Sequence, residues 1–572
     1  VNKIYNLLLV RTYLRKSLGD FLFRFYLLNL VLQKRNKPYT KRCKQCPTKI
    51  RTNMKLTKLK LFNFKKFEFL EVDFKDNLNV IIGDNESGKS SILLAIDLAL
   101  RGSRNRIETE GLDLLFNSKC IEDFFLTNTY ETLPKLKVEL YFDNLGDKDE
   151  YYGRNNTQGT DQFGLSLICE PRDELSKDIS EILAEGKQNF PFEYYSIAFY
   201  KFSGQPYLSF RKDFKHILLD NTLINNEYAT NQYIKTLYDS HVTLPEKNKH
   251  LNEYRKYKND YKETILEDVN KKTGDYKFGI KNDKKSNLVT DLTITEENID
   301  IQNKGKGRQC FIKTEFALQK NQNELDFILL EEPENHLSHL NMKNLITRID
   351  DSENKQIFIA THSNLISSRL DLRNTILLNS NSSISINLSH LEVSTANFFM
   401  KAPDNNILEF ILSKKVILVE GDAEFILLER FFEIITNKKP NELNCHIISV
   451  GGTSFKRYLE ISKLLDVKTA VIRDNDTDYQ KNCVDRYSKY ISPNIKVFSE
   501  TDNSISTFEI SMFNTNTDIC NDLFLPARIT KSVQDFMLDE KADCAFELLD
   551  KKSEVLKVPT YIKEAIEWLI KN

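Results

Sequence analysis

Three groups of residues in this 572-residue sequence are spaced for phosphate and metal chemistry. The first is Gly83-Asp84-Asn85-Glu86-Ser87-Gly88-Lys89-Ser90, a full G-x-x-x-x-G-K-[ST], followed by Ser91. Gly83 and Gly88 let the backbone curl so that its N–H groups converge on an anion, and the helix that follows adds its positive end. Lys89 is spaced to reach the β- and γ-phosphates of a nucleotide, and the Ser90 hydroxyl to ligate Mg²⁺. The second group closes two apolar runs: Leu325-Asp-Phe-Ile-Leu-Leu-Glu331-Glu332-Pro-Glu334 and Gln356-Ile-Phe-Ile-Ala-Thr-His362-Ser363. Beside a phosphate loop, one carboxylate (Glu331) anchors Mg²⁺ and the next (Glu332) orients an attacking water, while His362 senses the γ-phosphate or helps position that water. The third group is Glu420 and Glu424 with Asp474, Asp476 and Asp478, an all-oxygen set suited to Mg²⁺ or Mn²⁺ rather than Zn²⁺.

Each group needs an element to deliver it. Leu78, Val80, Ile81 and Ile82 read as a buried strand and residues 91–100 as an apolar helix, which places the first group at a strand–helix junction. The alternation of Leu56, Leu59, Leu61 and Phe64, then Phe69, Val72 and Phe74, predicts two strands before it. Residues 135–142, 165–170 and 194–200 predict more, with 143–165 as loop. From about residue 220 to 285 lies an inserted arm, helical and highly charged to about 272, read as a solvated helical hairpin. Short strands are expected over 287–294 and 299–302. Asn303-Lys-Gly305-Lys-Gly307-Arg-Gln309 then forms a Gly-rich turn opening an apolar helix.

A second α/β unit spans 405–572. A strand from Lys415 ends at Glu420-Gly421, and Glu424 lies one helical turn further on the same face. Strands over 446–450 and 469–472 follow, with Gly451-Gly452-Thr453 opening a helix over 455–465. Carboxylates leaving neighbouring parallel strands converge at the sheet's carboxyl edge, where two divalent ions can stabilise both the attacking and the leaving oxygen of a phosphodiester.

With a net charge of −1, the chain offers no global field for nucleic acid, so any such contact must come from local basic patches. Nine cysteines are scattered, and only Cys43 and Cys46 form a C-x-x-C; a reduced, cytoplasmic compartment is the natural reading. Residues 1–53 are basic, with an apolar patch over 21–32 that Arg24 and Asn29 interrupt and that is too short to span a bilayer. They read as an extension foreign to the fold, which would begin at Met54, or else as a basic arm for nucleic acid. No membrane partner is expected.

The ordered set resembles the ABC-type ATPase heads of the SMC/RecF class. G-D-N-E-S-G-K-S stands as the phosphate loop, G-K-G-R-Q as a degenerate signature, I-L-L-E-E-P-E as the Walker B strand, N-H-L-S as the D-loop and T-H-S as the switch histidine. The signature lacks Leu-Ser-Gly-Gly, and Glu331 replaces the common Asp. The resemblance implies nucleotide contacts from Gly83, Asp84, Asn85, Glu86, Ser87, Gly88, Lys89, Ser90 and Ser91. It also implies a head-to-head homodimer or higher even oligomer, with ATP closed by Gly305, Gly307 and Gln309 of the partner.

The C-terminal third resembles a Toprim domain, and a head followed by Toprim is similar to the OLD (overcoming lysogenization defect) family. Val450-Gly-Gly-Thr-Ser-Phe-Lys-Arg-Tyr-Leu-Glu-Ile461, Thr507-Phe-Glu509 and Lys541-Ala-Asp-Cys-Ala545 match further. The resemblance implies metal at Glu420, Glu424, Asp474 and Asp476, Glu509 as a further ligand, and Lys541 stabilising charge on the scissile phosphate. Catalysis would fall to Glu332, His362 and Lys541. The fold implied is α/β: a P-loop ATPase head over 54–400 with a helical insertion, then a Rossmann-like Toprim domain. The function implied is an ATP-hydrolysing, Mg²⁺-dependent DNA endonuclease (Mn²⁺ or Ca²⁺ as alternatives) in prokaryotic anti-phage defence or DNA processing, alone or with a helicase-like partner. The rival is an ATP-driven DNA clamp of the RecF/SMC kind with a silent Toprim fold. A transporter ATPase gives no reason for the Glu and D-x-D set, and a primase or topoisomerase would share the Toprim unit alone.

Overall fold

Two hydrophobic periods build two kinds of sheet. The computed structural model describes residues 54–571 except 144, 147, 186–188, 209–212, 221–226, 274, 275, 282–286, 319–324, 351–354, 379–384, 403–405, 453 and 526–530. The described residues fall within the compact unit Asn53–Asn572. The expectations for residues 1–53 and for Thr453 lie outside them.

Alternating segments form an antiparallel sheet. Leu56–Phe64 pairs with Phe67–Asp73 on one side and Leu136–Phe142 on the other, and the sheet continues through Gln162–Pro171 to Tyr195–Lys201 and the short Tyr152–Gly153. Period-two alternation gives such a sheet one core face. The continuous apolar runs form a second sheet, ordered Ser385–Asn387, Thr375–Leu378, Leu78–Gly83, Gln356–Ala360, Phe327–Glu331, His216–Asp220, parallel except at its first strand. Burial on both faces is why these runs do not alternate.

The helix Lys89–Arg101 packs between the sheets. Ile92, Leu93 and Ile96 share one core with Leu59, Leu61 and Val138 of the first sheet and Phe327 and Leu329 of the second. Each such side chain contributes roughly 1.5–3 kcal/mol when fully buried. Buried Gln356 ties the sheets by hydrogen bonds: Leu56 N donates to its Oε1 at 2.7 Å, and its Nε2 donates to the carbonyls of Leu56 and Lys75, both at 2.7 Å. Asp97, inside the helix, accepts from Arg101 Nε at 2.7 Å and lies 3.1 Å from His216 Nε2. Burial works against its charge, but Arg101 and His216 outweigh that and hold its carboxyl at about 2.

The C-terminal sheet is four parallel strands ordered Cys445–Ser449, Lys415–Val419, Lys468–Ile472, Ile495–Phe498. One face packs on the helices Asp422–Thr436, Lys541–Lys552 and Thr560–Ile570. The other packs on Phe455–Leu465 and runs into the core of the head, so Val416 and Leu418 share a cluster with Val80 and Ile82. Where the halves meet, a cavity of about 160 Å³ is lined by Asp84 of the phosphate loop, Leu378, Lys414 and Asp466, among others. The starts of two C-terminal strands therefore abut the phosphate loop.

Two expectations need correction. Residues 287–294 hold no strand: Leu288–Asp291 is a short helix, because the Asn287 side chain accepts from Val289 N and Thr290 N and caps it. The arm is helical over Glu227–His241, Leu244–Thr264 and Glu267–Asn270, but it is not uniformly polar outside. Tyr257, Tyr261, Ile265 and Val269, spaced by four, are all exposed.

Candidate functional sites: a phosphate loop and a carboxylate cluster

At the head, three parallel strands end side by side: Ala360 pairs with Ile81 and with Glu331. The phosphate loop leaves the first of them. Gly88 takes φ 96°, and a Cβ there would lie 2.3 Å from the Phe67 ring, so the loop needs glycine. Lys89 Nζ donates to the carbonyls of Gly83 and Asp84, at 2.9 and 3.0 Å, which keeps the loop curled. Burial lowers the Lys89 ammonium against the pull of Glu332, Asp84, Glu334 and Glu331. Ser87 Oγ is buried without a hydrogen-bond partner, as suits a cradle built to surround an anion. Asp84, Asn85 and Glu86 are exposed, with Glu86 at φ 62°. Ser91 is half-buried in the first turn of the helix.

The carboxylates lie as the strand ends require. Burial pushes the Glu331 carboxyl up, with Asp220 adding to it, while Ser90, the other expected Mg²⁺ ligand, opposes the shift. Glu332 is turned out of the strand at φ 44°. Its Oε2 is 2.7 Å from His362 Nδ1, without an aligned hydrogen bond. Burial, then Glu334, pushes Glu332 up to about 7, with His362 opposing. Ligand atoms of Glu332, Glu334 and His362 all lie within 4.8 Å of one another.

Three residues here escaped the sequence reading. Glu334 Oε1 accepts from Thr361 Oγ1 at 2.5 Å and His362 N at 3.2 Å, buttressing the switch loop. Asp220 closes a strand whose run, His216–Asp220, was too short to attract notice. Lys66 donates to Glu86 O at 2.8 Å from the neighbouring turn, and nothing local in the sequence links the two. Gly305, Gly307 and Gln309 lie elsewhere. Gly305 is exposed, a Cβ on Gly307 would meet His336 O at 2.1 Å, and Gln309 Nε2 donates to Lys304 O at 2.7 Å.

The second cluster forms at the carboxyl edge of the C-terminal sheet. Glu420 follows its strand, Glu424 stands in the first turn of Asp422–Thr436, Asp474 follows Lys468–Ile472, Glu509 begins the Thr507-capped helix Phe508–Thr515, and Lys541 opens Lys541–Lys552. Burial, then Glu424, Glu509 and Glu420, pushes the Asp474 carboxyl up to about 8. Burial, then Glu509 and Glu420, pushes Glu424 up to about 7. Glu420 is raised by burial against the pull of Arg473, and its Oε2 is buried with no partner. Lys541 Nζ stands 3.3 Å from Glu509 Oε2; burial opposes its charge, yet Glu509 outweighs this and holds the ammonium above its usual range.

A group of acids in which burial and mutual repulsion raise Asp474, Glu424 and Glu420, with a buried Glu420 oxygen left unpaired, fits a divalent cation. Asp476 adds to the charge that raises Glu420, and both it and Asp478 have partners of their own. Asp476 Oδ2 accepts from Arg473 Nη2 at 2.6 Å, and Asp478 Oδ1 accepts from Lys481 N at 3.1 Å.

Because metal must displace protons from Asp474 and Glu424, Mn²⁺ affinity should rise with pH. We expect a gain of roughly fiftyfold from pH ~6 to ~7 and roughly tenfold from pH ~7 to ~8, levelling above. Calorimetric titration across that range checks it, and a flat profile contradicts it.

With both sites described, the similarities can be placed. Residues 411–476 match the family described as overcoming lysogenization defect protein-like, Toprim domain, and residues 58–273 match the AAA domain family. The DNA replication and repair protein RecF of Lactococcus lactis subsp. cremoris (strain SK11) is 49% identical over 88 residues, 15% of this chain and 24% of that protein. The DNA repair protein RecN of Synechocystis sp. is 30% identical over 138 residues, 23% of each. The chain thus spans about a quarter of the length of these curated relatives. The SMC head domain from Thermotoga maritima aligns at TM-score 0.28 and 15% identity over 58% of this chain and 97% of that one. The C-terminal region of the Xanthomonas campestris pv. campestris OLD protein aligns at TM-score 0.20 and 19% identity over 28% and 94%.

The chain therefore carries an AAA-type ATPase domain followed by a Toprim domain, both α/β. Within that class the Toprim unit is OLD-like, as the motif order implied.

Proposed function

We propose that the chain is an ATP-binding and ATP-hydrolysing, divalent-metal-dependent DNA endonuclease of the OLD type. The observation that carries the reading is the cluster of half-buried Glu420 and Asp474 with buried Glu424 and Glu509, and Lys541 at its rim, on a sheet whose core runs into that of the ATPase head. Mg²⁺ or Mn²⁺ held there would supply Lewis-acid stabilisation of a scissile phosphodiester. Lys541 would hold positive charge beside that phosphate.

In the head, the amides from Gly83 to Ser91, with Lys89, would bind the phosphates of ATP, and Ser90 and Glu331 would hold its Mg²⁺. Glu332, poised near neutrality, would take the proton of the attacking water, with His362 orienting it. Gly305, Gly307 and Gln309 would complete the site of a second copy in a homodimer or higher even assembly. A cytoplasmic setting, DNA as substrate, a helicase-like partner and a role in anti-phage defence or DNA processing complete the proposal. The RecF and RecN similarities support a role on DNA. No helix among the described residues is long and apolar enough to cross a membrane.

The test is incubation of the full chain with supercoiled plasmid in Mg²⁺ or Mn²⁺, with and without ATP. Nicked or linear product that requires metal supports the reading. Relaxed closed circles would make it a topoisomerase. Intact plasmid with ATP hydrolysis retained would favour the ATP-driven clamp.

A further inference from the structure

Three cations gather beside the carboxylate cluster without acids of their own. Lys456 stands in the first turn of the helix Phe455–Leu465, and Arg486 in the short helix Asp485–Tyr487. Packing joins the two elements. The Phe455 and Tyr487 rings meet edge to face with centroids 6.4 Å apart, so Lys456 and Arg486, their neighbours in sequence, share one seam. Two turns along the longer helix, Lys463 Nζ lies 3.5 Å from Lys489 O, and the seam continues to Lys489. The carboxylates begin at its other end. Gly452 N donates to Glu420 O at 2.9 Å, tying the turn before the helix to that strand end. A Cβ on Gly451 or Gly452 would meet nothing within 4 Å, so the turn between the two groups faces open space.

The cations are unanswered. Among the described residues, the side chains of Lys456 and Arg486 make no hydrogen bond or ion pair, and Lys489 Nζ meets the Tyr490 ring, 5.1 Å from its centroid. Lys456 and Arg486 are also half-buried, which weakens their screening by water. Burial lowers the Lys456 ammonium, and Arg486 and Lys489 push it the same way. An ordinary solvated face mixes its cations with acids, as the helix Thr560–Ile570 does with Lys563 and Glu567. Like charges gathered without a counter-ion repel one another, and a polyanion laid across them relieves that repulsion.

We infer that Lys456, Arg486 and Lys489 form a phosphate track that holds the DNA strand beside the Toprim centre, gripping backbone phosphates adjacent to the bond that is cut. The inference rests on the nuclease reading above and adds where the substrate lies. Phosphates carry no sequence, so the track contributes affinity and position without base preference.

The test is binding of labelled DNA duplexes by the full chain in chelator, where nothing is cut, read by fluorescence anisotropy over a range of KCl concentrations. The double variant Lys456→Gln/Arg486→Gln is expected to bind at least about tenfold more weakly at ~0.1 M salt. The slope of log affinity against log salt should become shallower by about 2, and in Lys489→Gln by about 1. Two duplexes of unrelated sequence should lose affinity alike. Lys438→Gln, which removes one exposed charge just past the far end of the helix Asp422–Thr436, should leave affinity and slope unchanged. Wild-type affinity and slope in the double variant overturn the track, as does weakening of one duplex alone or equal weakening by Lys438→Gln. Should the double variant not fold, exposed Lys489→Gln decides by its slope. Plasmid cleavage by the same preparations in Mn²⁺ separates this inference from the reading beneath it. A wild type that cuts while the double variant binds as tightly defeats the track alone, and a wild type that neither binds nor cuts defeats both.

Discussion

Glu332→Gln is expected to lower steady-state ATP hydrolysis by roughly two to three orders of magnitude while leaving ATP affinity within about threefold. The substitution keeps the side chain's size and its place beside His362, 2.7 Å away. What it removes is the ability to take a proton. Wild-type Glu332 is well suited to that task because burial, with Glu334 next to it, lifts its carboxyl to about 7, and a base works best with a pKa near the working pH. Lys89 and the loop amides, which would bind the phosphates, are untouched. Single-turnover hydrolysis and equilibrium ATP binding by the same preparation separate the two effects. Equal loss of binding and hydrolysis would show that Glu332 shapes the loop rather than the chemistry.

Asp474→Asn carries the second large effect, and it has two opposite signs. Metal-dependent cleavage should fall by about 10³-fold, the scale of several kcal/mol of lost transition-state stabilisation. Metal-free thermal stability at pH ~8.5 should instead rise, by up to a few degrees. The sign follows from linkage. Asp474 is raised in the folded state from 3.8 to about 8. Its stabilising contribution is present below 3.8 and lost as pH climbs through about 8, where the folded chain must ionise an acid among Glu424, Glu509 and Glu420. Asn never ionises, so the penalty disappears. Thermal unfolding at pH ~5 and ~8.5 in chelator checks this, with the difference between variants clearly larger at the higher pH. A variant less stable at both would mean that Asp474 holds the fold rather than a metal.

Much of this architecture was legible from local pattern. The phosphate loop declared itself because curling a backbone around phosphate demands Gly83, Gly88 and Lys89 at fixed spacing, and Gly88 indeed takes a left-handed φ. Continuous apolar runs gave the parallel strands, whose registry then aligns Ile81, Ala360 and Glu331. What failed to show were contacts between distant segments. Glu334 reaches Thr361, Lys66 reaches Glu86 and Arg473 reaches Tyr487 through the packing of sheets and turns, which no spacing encodes. Asp476 is the instructive case. Its spacing from Asp474 suggests a shared ion, whereas its bond to Arg473, made from a turn of two left-handed residues, is nothing the spacing encodes. Glu509 lies 35 residues beyond Asp474, and only its Thr507-Phe-Glu509 match pointed to it; the fold sets its charge beside Asp474. The short helix after Asn287 was misread because its capping bonds outweigh the β-branched composition of the segment.

The most direct measurement is the rate at which wild-type protein and Asp474→Asn convert supercoiled plasmid to nicked or linear DNA in the same Mn²⁺ buffer, at matched purity and with ATP hydrolysis assayed alongside. The account predicts metal-dependent cutting by the wild type, its loss in Asp474→Asn and equal ATP hydrolysis in both. Equal cutting by the two would contradict it, because the cluster at the edge of the Toprim sheet would then not be where the phosphodiester is broken.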